Sequence, residues 1–117
     1  IYTSINTLSL HDALPIWNAM FIFPTQQKDV YKLVEQCRAD SNVQKCIIFG
    51  SSVTEECHSW SDIDVYFEIK EDIGRLPSVK DAEAPFDKWT NFTVSPELME
   101  EIDCKGVPVF QRGPYKL

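Results

Sequence analysis

Asp62-Ile-Asp-Val-Tyr-Phe-Glu-Ile69 is the stretch that decides the fold, because polar and apolar residues alternate strictly along it. Successive side chains of a β-strand point to opposite faces of the sheet. The stretch therefore predicts a strand whose apolar face consists of Ile63, Val65, Phe67 and Ile69. Its other face carries Asp62, Asp64, Tyr66 and Glu68, of which we expect the last two to face solvent.

The segment before this strand predicts a helix and a second strand. Apolar residues recur there at the i, i+3, i+4, i+7 spacing of an amphipathic helix, at Val30, Leu33, Val34 and Cys37. We expect this helix to begin at Pro24-Thr25 and to end near Asp40. Lys45-Cys-Ile-Ile-Phe49 is short, apolar and rich in strand formers, and Gly50-Ser51-Ser52 ends it abruptly.

The segment after the strand predicts a third strand, a short helix and a final strand. Glu71–Ala84 is charged and indicates a surface excursion, and Phe86–Phe92 is a strand candidate. An N-cap, a first-turn proline and a glycine past the last turn mark the helix, at Ser95, Pro96 and Gly106. Val107–Phe110 is a strand candidate that Pro108 restricts to an edge or end position. This order predicts the class α/β (α+β), a small mixed β-sheet flanked by helices.

Length and charge narrow the class of protein. A chain of 117 residues can bury one core but not two, so we expect a single domain. The formal net charge is -7, and so acidic a surface repels a phosphate backbone, which argues against sequence-specific nucleic-acid binding. No stretch approaches the roughly 20 apolar residues of a membrane-spanning helix, so a membrane is not an expected partner.

The beginning of the chain does not share the pattern of the rest. We interpret residues 1–19 as either a non-native tail or a native N-terminal arm or short helix, and residues 20–117 as the domain, which leaves Met20 as a candidate start. No basic residue precedes Lys28, so a secretory signal is not expected. The cysteines lack C-x-x-C spacing, which predicts reduced thiols and a cytoplasmic protein; they are Cys37, Cys46, Cys57 and Cys104.

Two aspartates on one strand face form the first half of a candidate site. The like charges of Asp62 and Asp64 favour a divalent cation between them, and oxygen ligands of this kind suit Mg²⁺, which takes further ligands from substrate phosphates. The turn Gly50-Ser51-Ser52 offers hydroxyls, amide groups and a close backbone approach to a phosphate. An ordinary antiparallel strand with one solvent-exposed face would show the same aspartate pair. The prediction of a metal and phosphate site therefore depends largely on the turn.

The pattern Phe49-Gly50-Ser51, ten residues and then Asp62-Ile63-Asp64-Val65 resembles a known signature. It is similar to that of the nucleotidyltransferase superfamily that includes DNA polymerase beta, and most closely to its minimal bacterial nucleotidyltransferases. The resemblance covers roughly Lys28 to Phe110. It implies the nucleotidyltransferase fold, with the turn at Gly50, Ser51 and Ser52 binding the triphosphate and with Asp62 and Asp64 binding Mg²⁺.

The resemblance also implies a third carboxylate from a later strand. We assign it to Asp87, which lies in the next strand candidate and is followed by a helix and an ending similar to the family's tail. Asp81 is the alternative, and an exposed loop acid without a role remains a third interpretation of Asp87. The resemblance makes Asp62, Asp64 and Asp87 both the metal ligands and the catalytic residues.

The function implied by the resemblance is Mg²⁺-dependent transfer of a nucleotidyl group to a hydroxyl acceptor. The simplest donor is ATP, or another nucleoside triphosphate, which would give up AMP. Minimal family members are often paired with a helical HEPN-family protein as the antitoxin of a toxin–antitoxin pair, and a self-dimer is the other expected partner. The alternative is a non-catalytic interaction module of the same fold, which the absence of a basic residue after Gly50-Ser51 favours.

Overall fold

The computed structural model describes residues 24–50 and 62–112, and the residues 1–19 interpreted above as an arm lie outside these ranges. The described part contains two helices and four strands in the predicted order: α1 (Pro24–Ala39), β1 (Val43–Phe49), β2 (Ile63–Ile69), β3 (Phe86–Thr90), α2 (Pro96–Lys105) and β4 (Val107–Gln111). The predicted class, α/β (α+β) with a small mixed sheet, is therefore confirmed.

The four strands form one sheet in the order β3-β2-β1-β4. β1 pairs antiparallel with both β2 and β4, whereas β2 and β3 run parallel. Consequently β1 ends at the same end of the sheet at which β2 and β3 begin. We call this the acidic end. At the opposite end β1 begins and β2 ends. β4 lies at the side of the sheet, as Pro108 predicts.

Helix α1 covers one face of the sheet and forms the main core with it. The predicted helical stripe is fully buried, at Val30, Leu33, Val34 and Cys37. It packs against the apolar face of β2, whose four predicted core residues are also buried. Burying one such aliphatic side chain contributes about 1.5–3 kcal/mol, so the two matched stripes supply most of the free energy that holds α1 on the sheet.

Helix α2 covers part of the other face. The Ser95 hydroxyl accepts a hydrogen bond from the Leu98 N–H (3.1 Å), and Pro96 stands in the first turn, as predicted. A second apolar cluster results, made by Ile47, Phe49, Tyr66 and Ile102. The prediction that Tyr66 faces solvent is therefore wrong, because α2 leaves only 4% of that residue exposed. Glu68 on the same face is exposed, as predicted.

The connection from β2 to β3 is partly a surface excursion, as predicted, since residues 71–75 are exposed. Its later part returns to the protein, because Pro77 and Ala84 are buried. Ala84 belongs to the main core, and Leu76 and Val79 pack against it. The prediction of a surface segment is thus correct for the first residues and wrong for the return to β3.

The described cysteines carry free thiols, namely Cys37, Cys46 and Cys104. Burial raises the pKa of the Cys46 thiol well above its usual value, and the neighbouring Cys37 raises it further. Cys57 lies outside the described residues. Neither described helix combines the length and the apolar character that a membrane span requires.

Candidate active site at the acidic end of the sheet

Gly50 follows the last residue of β1 and lies against Asp64. Its φ of 76° is in the left-handed region, which favours glycine. A Cβ atom at this position would also overlap Oδ2 of Asp64. The absence of a side chain therefore allows the carboxylate of Asp64 to lie directly beside the Gly50 backbone. Ser51 and Ser52, the other residues of the predicted phosphate turn, lie outside the described residues.

Asp64 and Asp87 are partners across neighbouring parallel strands. The register pairs Asp64 of β2 with Asp87 of β3, one step after Ile63 and Phe86. Residues in register on neighbouring strands point to the same face, and the strands lie about 4.8 Å apart. The two carboxylates are consequently neighbours on the α2 side of the sheet.

Asp62 stands directly before β2 and is exposed. Reduced hydration is the largest cause that raises the pKa of Asp87, and the neighbouring carboxyl group and charge of Asp62 raise it further. The structure thus brings together all three aspartates that the resemblance selects.

Asp64 is the carboxylate most affected by its surroundings. Burial and then the charges of Asp87, Asp62 and Glu101 raise its pKa to about 6. Its cross-strand neighbour on β1 is Phe49, whose ring packs against Trp89 with centroids 5.5 Å apart. Asp64 therefore combines an apolar side with a concentration of negative charge, and both disfavour its ionised form.

Glu101 of α2 is the acidic neighbour that the sequence analysis missed. It precedes Ile102, the buried residue of α2, so a helical projection places it near the docked face of the helix. The sequence contains no signal for where α2 docks on the sheet, and only that docking brings Glu101 within electrostatic range of Asp64.

Asp81, the alternative third carboxylate, lies elsewhere. It forms an ion pair with Lys32 of α1, with Nζ and Oδ2 3.0 Å apart. The hydrogen bond to Lys32 is the largest cause that lowers the pKa of Asp81. Since α1 covers the other face of the sheet, Asp81 is separated from the aspartates by the sheet itself.

The three aspartates offer the oxygen donors that Mg²⁺ prefers. Their mutual repulsion fits a cation, because a positive charge among them would offset the causes that raise the pKa values of Asp64 and Asp87. Within residues 24–50 and 62–112, no three His, Cys, Asp or Glu side chains already converge as a metal site. The donors are thus present and adjacent, and binding an ion requires their side chains to turn towards it.

The sequence from residue 30 to residue 106 matches the family model of the nucleotidyltransferase domain. This match covers about two thirds of the chain and includes the glycine turn and all three aspartates. No match to the chain is found among curated proteins.

Proposed function

The chain belongs to the nucleotidyltransferase domain family, and from that premise we propose that it transfers a nucleotidyl group from a nucleoside triphosphate to a hydroxyl acceptor with the help of Mg²⁺. The simplest donor is ATP. The observation that carries the proposal is the adjacency of the Gly50 turn, Asp64 and Asp87 at one end of the sheet. A glycine turn beside a pair of carboxylates can hold a triphosphate and its metal in one place.

Asp62, Asp64 and Asp87 would hold the metal. When bound, Mg²⁺ neutralises phosphate charge and the negative charge that develops on the transferred group. The Gly50 backbone would seat the triphosphate beside Asp64. Ser51 and Ser52 are assigned to the same task by the resemblance.

The transfer would be an in-line displacement. The acceptor oxygen forms a bond to the α-phosphorus, and the bond from that phosphorus to the bridging oxygen of the β-phosphate breaks, so pyrophosphate leaves with the electron pair. Asp87 would accept the proton of the acceptor hydroxyl. It is exposed, so an acceptor hydroxyl can reach it.

Calorimetric titration of ATP, with and without Mg²⁺, tests this function. We expect binding only with Mg²⁺, and we expect Asp64→Asn to weaken it about tenfold or more, because it removes a ligand charge. Asp81→Asn is the matched control, since it makes the same chemical change away from the cluster and should bind as the wild type does. Equal affinity of wild type and Asp64→Asn would contradict the assignment.

The second candidate function is a non-catalytic module that neutralises a partner by binding. The observation that favours it is the absence of a basic residue directly after Gly50-Ser51 in the sequence. The partner would be a helical HEPN-family toxin or a second copy of this chain, and the cytoplasm would be its compartment. The same titration separates the two functions, because a binding module would take up no ATP with or without Mg²⁺.

A further inference from the structure

Asp29 of α1 is a buried carboxylate that the proposed chemistry does not use. Only 2% of the residue is exposed. Its Oδ2 atom accepts hydrogen bonds from two consecutive backbone N–H groups, those of Glu83 and Ala84, each at 3.0 Å. Oδ1 is buried and has no hydrogen-bond partner among the described residues. Burial of a carboxylate is costly unless it is hydrogen-bonded. The two hydrogen bonds to Oδ2 therefore stabilise Asp29 in its buried position.

The backbone that Asp29 holds is the entrance to β3. Ala84 is followed by Pro85, whose carbonyl accepts a hydrogen bond from the Ile63 N–H (2.8 Å). That bond precedes the first register pair of the parallel β2–β3 ladder, Ile63 with Phe86. The anchor therefore lies three residues before Asp87 and fixes the point at which β3 joins the sheet.

The register at this point determines which way Asp87 faces. A shift of one residue in a strand moves every side chain to the opposite face. With the observed register Asp87 lies beside Asp64, whereas a shifted register would place Phe86 or Lys88 there. β3 is short and lies at the side of the sheet, and among the described strands it pairs with β2 alone.

A second contact from α1 reaches the same segment. Lys32, one turn after Asp29, pairs with Asp81 at 3.0 Å. Exposed ion pairs of this kind contribute little because solvent screens them, and the Asp81 side chain is largely exposed. The buried Asp29 bonds are accordingly the stronger of the two links between α1 and the entrance to β3.

We propose that Asp29 is a positioning residue that holds β3 in the register that keeps Asp87 beside Asp64. The proposal rests on the proposed function, which gives Asp87 its role at the metal and the acceptor. Asp29 would act on the site from the other side of the sheet, because α1 covers the face opposite the aspartates.

The test compares Asp29→Ala with Asp29→Asn in Mg²⁺-dependent ATP binding. We expect the alanine variant to bind about tenfold more weakly, as when an outer partner of a metal ligand is lost. The asparagine variant should stay close to wild type, because one amide oxygen can accept both N–H groups. The double variant Asp29→Ala/Asp87→Asn should bind no more weakly than Asp87→Asn alone, because Asp29 acts through Asp87. Wild-type affinity of Asp29→Ala, or losses that add in the double variant, would overturn the proposal.

Two further variants separate positioning from a general loss of stability. Arg112→Ala, which removes contacts at the opposite end of the sheet, should destabilise the protein without weakening ATP binding. Should Asp29→Ala fail to fold, Glu83→Pro removes one of the two N–H donors and should weaken binding in the same direction, whereas unchanged binding in that variant would count against the proposal.

A readout without nucleotide keeps this inference separate from the proposed function. The carboxyl carbon resonance of Asp87 reports on the surroundings of that side chain whether or not ATP binds. We expect it to shift in Asp29→Ala and to remain in place in Asp29→Asn and Arg112→Ala. If wild type binds no ATP, the proposed function fails while this resonance still decides the positioning role, and an unmoved resonance in Asp29→Ala would overturn it.

Discussion

The two ends of the sheet differ in how their polar groups are matched. At the opposite end, the guanidinium of Arg112 donates to the carbonyls of Cys37 (2.8 Å) and Asp40 (3.0 Å) at the end of α1, and to that of Val43 (2.9 Å) in β1. It also lies 5.2 Å from the ring centre of Phe110. One side chain thus ties a helix end, a turn and two strands together.

At the acidic end the polar groups have the same charge. Burial and neighbouring carboxylates raise the pKa of Asp64 to about 6, from a usual value of 3.8. The native state therefore binds this proton more tightly than the unfolded state, so the contribution of Asp64 to stability is complete below about pH 4 and is lost as the pH rises through 6. At neutral pH the opposite end stabilises the fold, whereas the acidic end costs stability.

The difference between the two ends indicates that the polar groups of the acidic end do not serve to stabilise the fold. Polar networks that stabilise a fold satisfy their donors and acceptors, as the Arg112 end does. Like charges held side by side persist where a ligand of opposite charge completes them. This difference supports the proposal that the acidic end binds a cation together with a phosphate.

Gly50→Ala, at the acidic end, should have the largest effect on stability and on ATP binding. A side chain there would be strained at a φ of 76° and would displace the Asp64 carboxylate, so we expect a loss of about 3 kcal/mol in the free energy of unfolding and weaker ATP binding. Gly74→Ala is the matched control: its φ is 80°, but apart from its chain neighbours no described residue lies within 4 Å of an added Cβ, so about 1 kcal/mol should be lost. Urea denaturation measures both, and equal losses would count against a specific contact of Gly50 with Asp64.

Arg112→Ala, at the opposite end, should have a smaller effect, which we expect on stability alone. Removal of the guanidinium leaves three carbonyls without their charged donor, which we expect to lower the free energy of unfolding by about 2 kcal/mol. ATP affinity should not change, because these contacts lie at the other end of the sheet. Urea denaturation and calorimetry check the two expectations, and a loss of ATP binding in folded Arg112→Ala would show that the two ends are not independent.

The sequence was sufficient for the elements whose signals are local. The alternation in β2, the stripe of α1 and the cap at Ser95 each predict an observed element, because period and capping depend on neighbouring residues alone. The burial of Tyr66 could not be predicted, since it depends on α2 docking across the sheet. Likewise, only the parallel register of β3 brings Asp87 beside Asp64.

Asp29 illustrates a signal that was present but not used. It lies four residues before Leu33, on the same side of α1 as the apolar stripe. A carboxylate in such a stripe indicates a buried partner, but the partner is a backbone segment more than fifty positions away. The pattern of one helix could therefore show that Asp29 has a partner without showing which one.

The most direct test of a metal-dependent nucleotide site at the acidic end is an NMR titration of the Asp64 carboxyl group with and without Mg²⁺. Without the ion we expect an apparent pKa of about 6, raised by burial and by the neighbouring carboxylates. With saturating Mg²⁺ the pKa should fall clearly, because a bound cation favours the ionised form. Asp81 serves as the internal control, since it lies outside the cluster and should titrate alike in both conditions. An Asp64 pKa that does not respond to Mg²⁺ would contradict the claim that the acidic end is a metal-dependent nucleotide site.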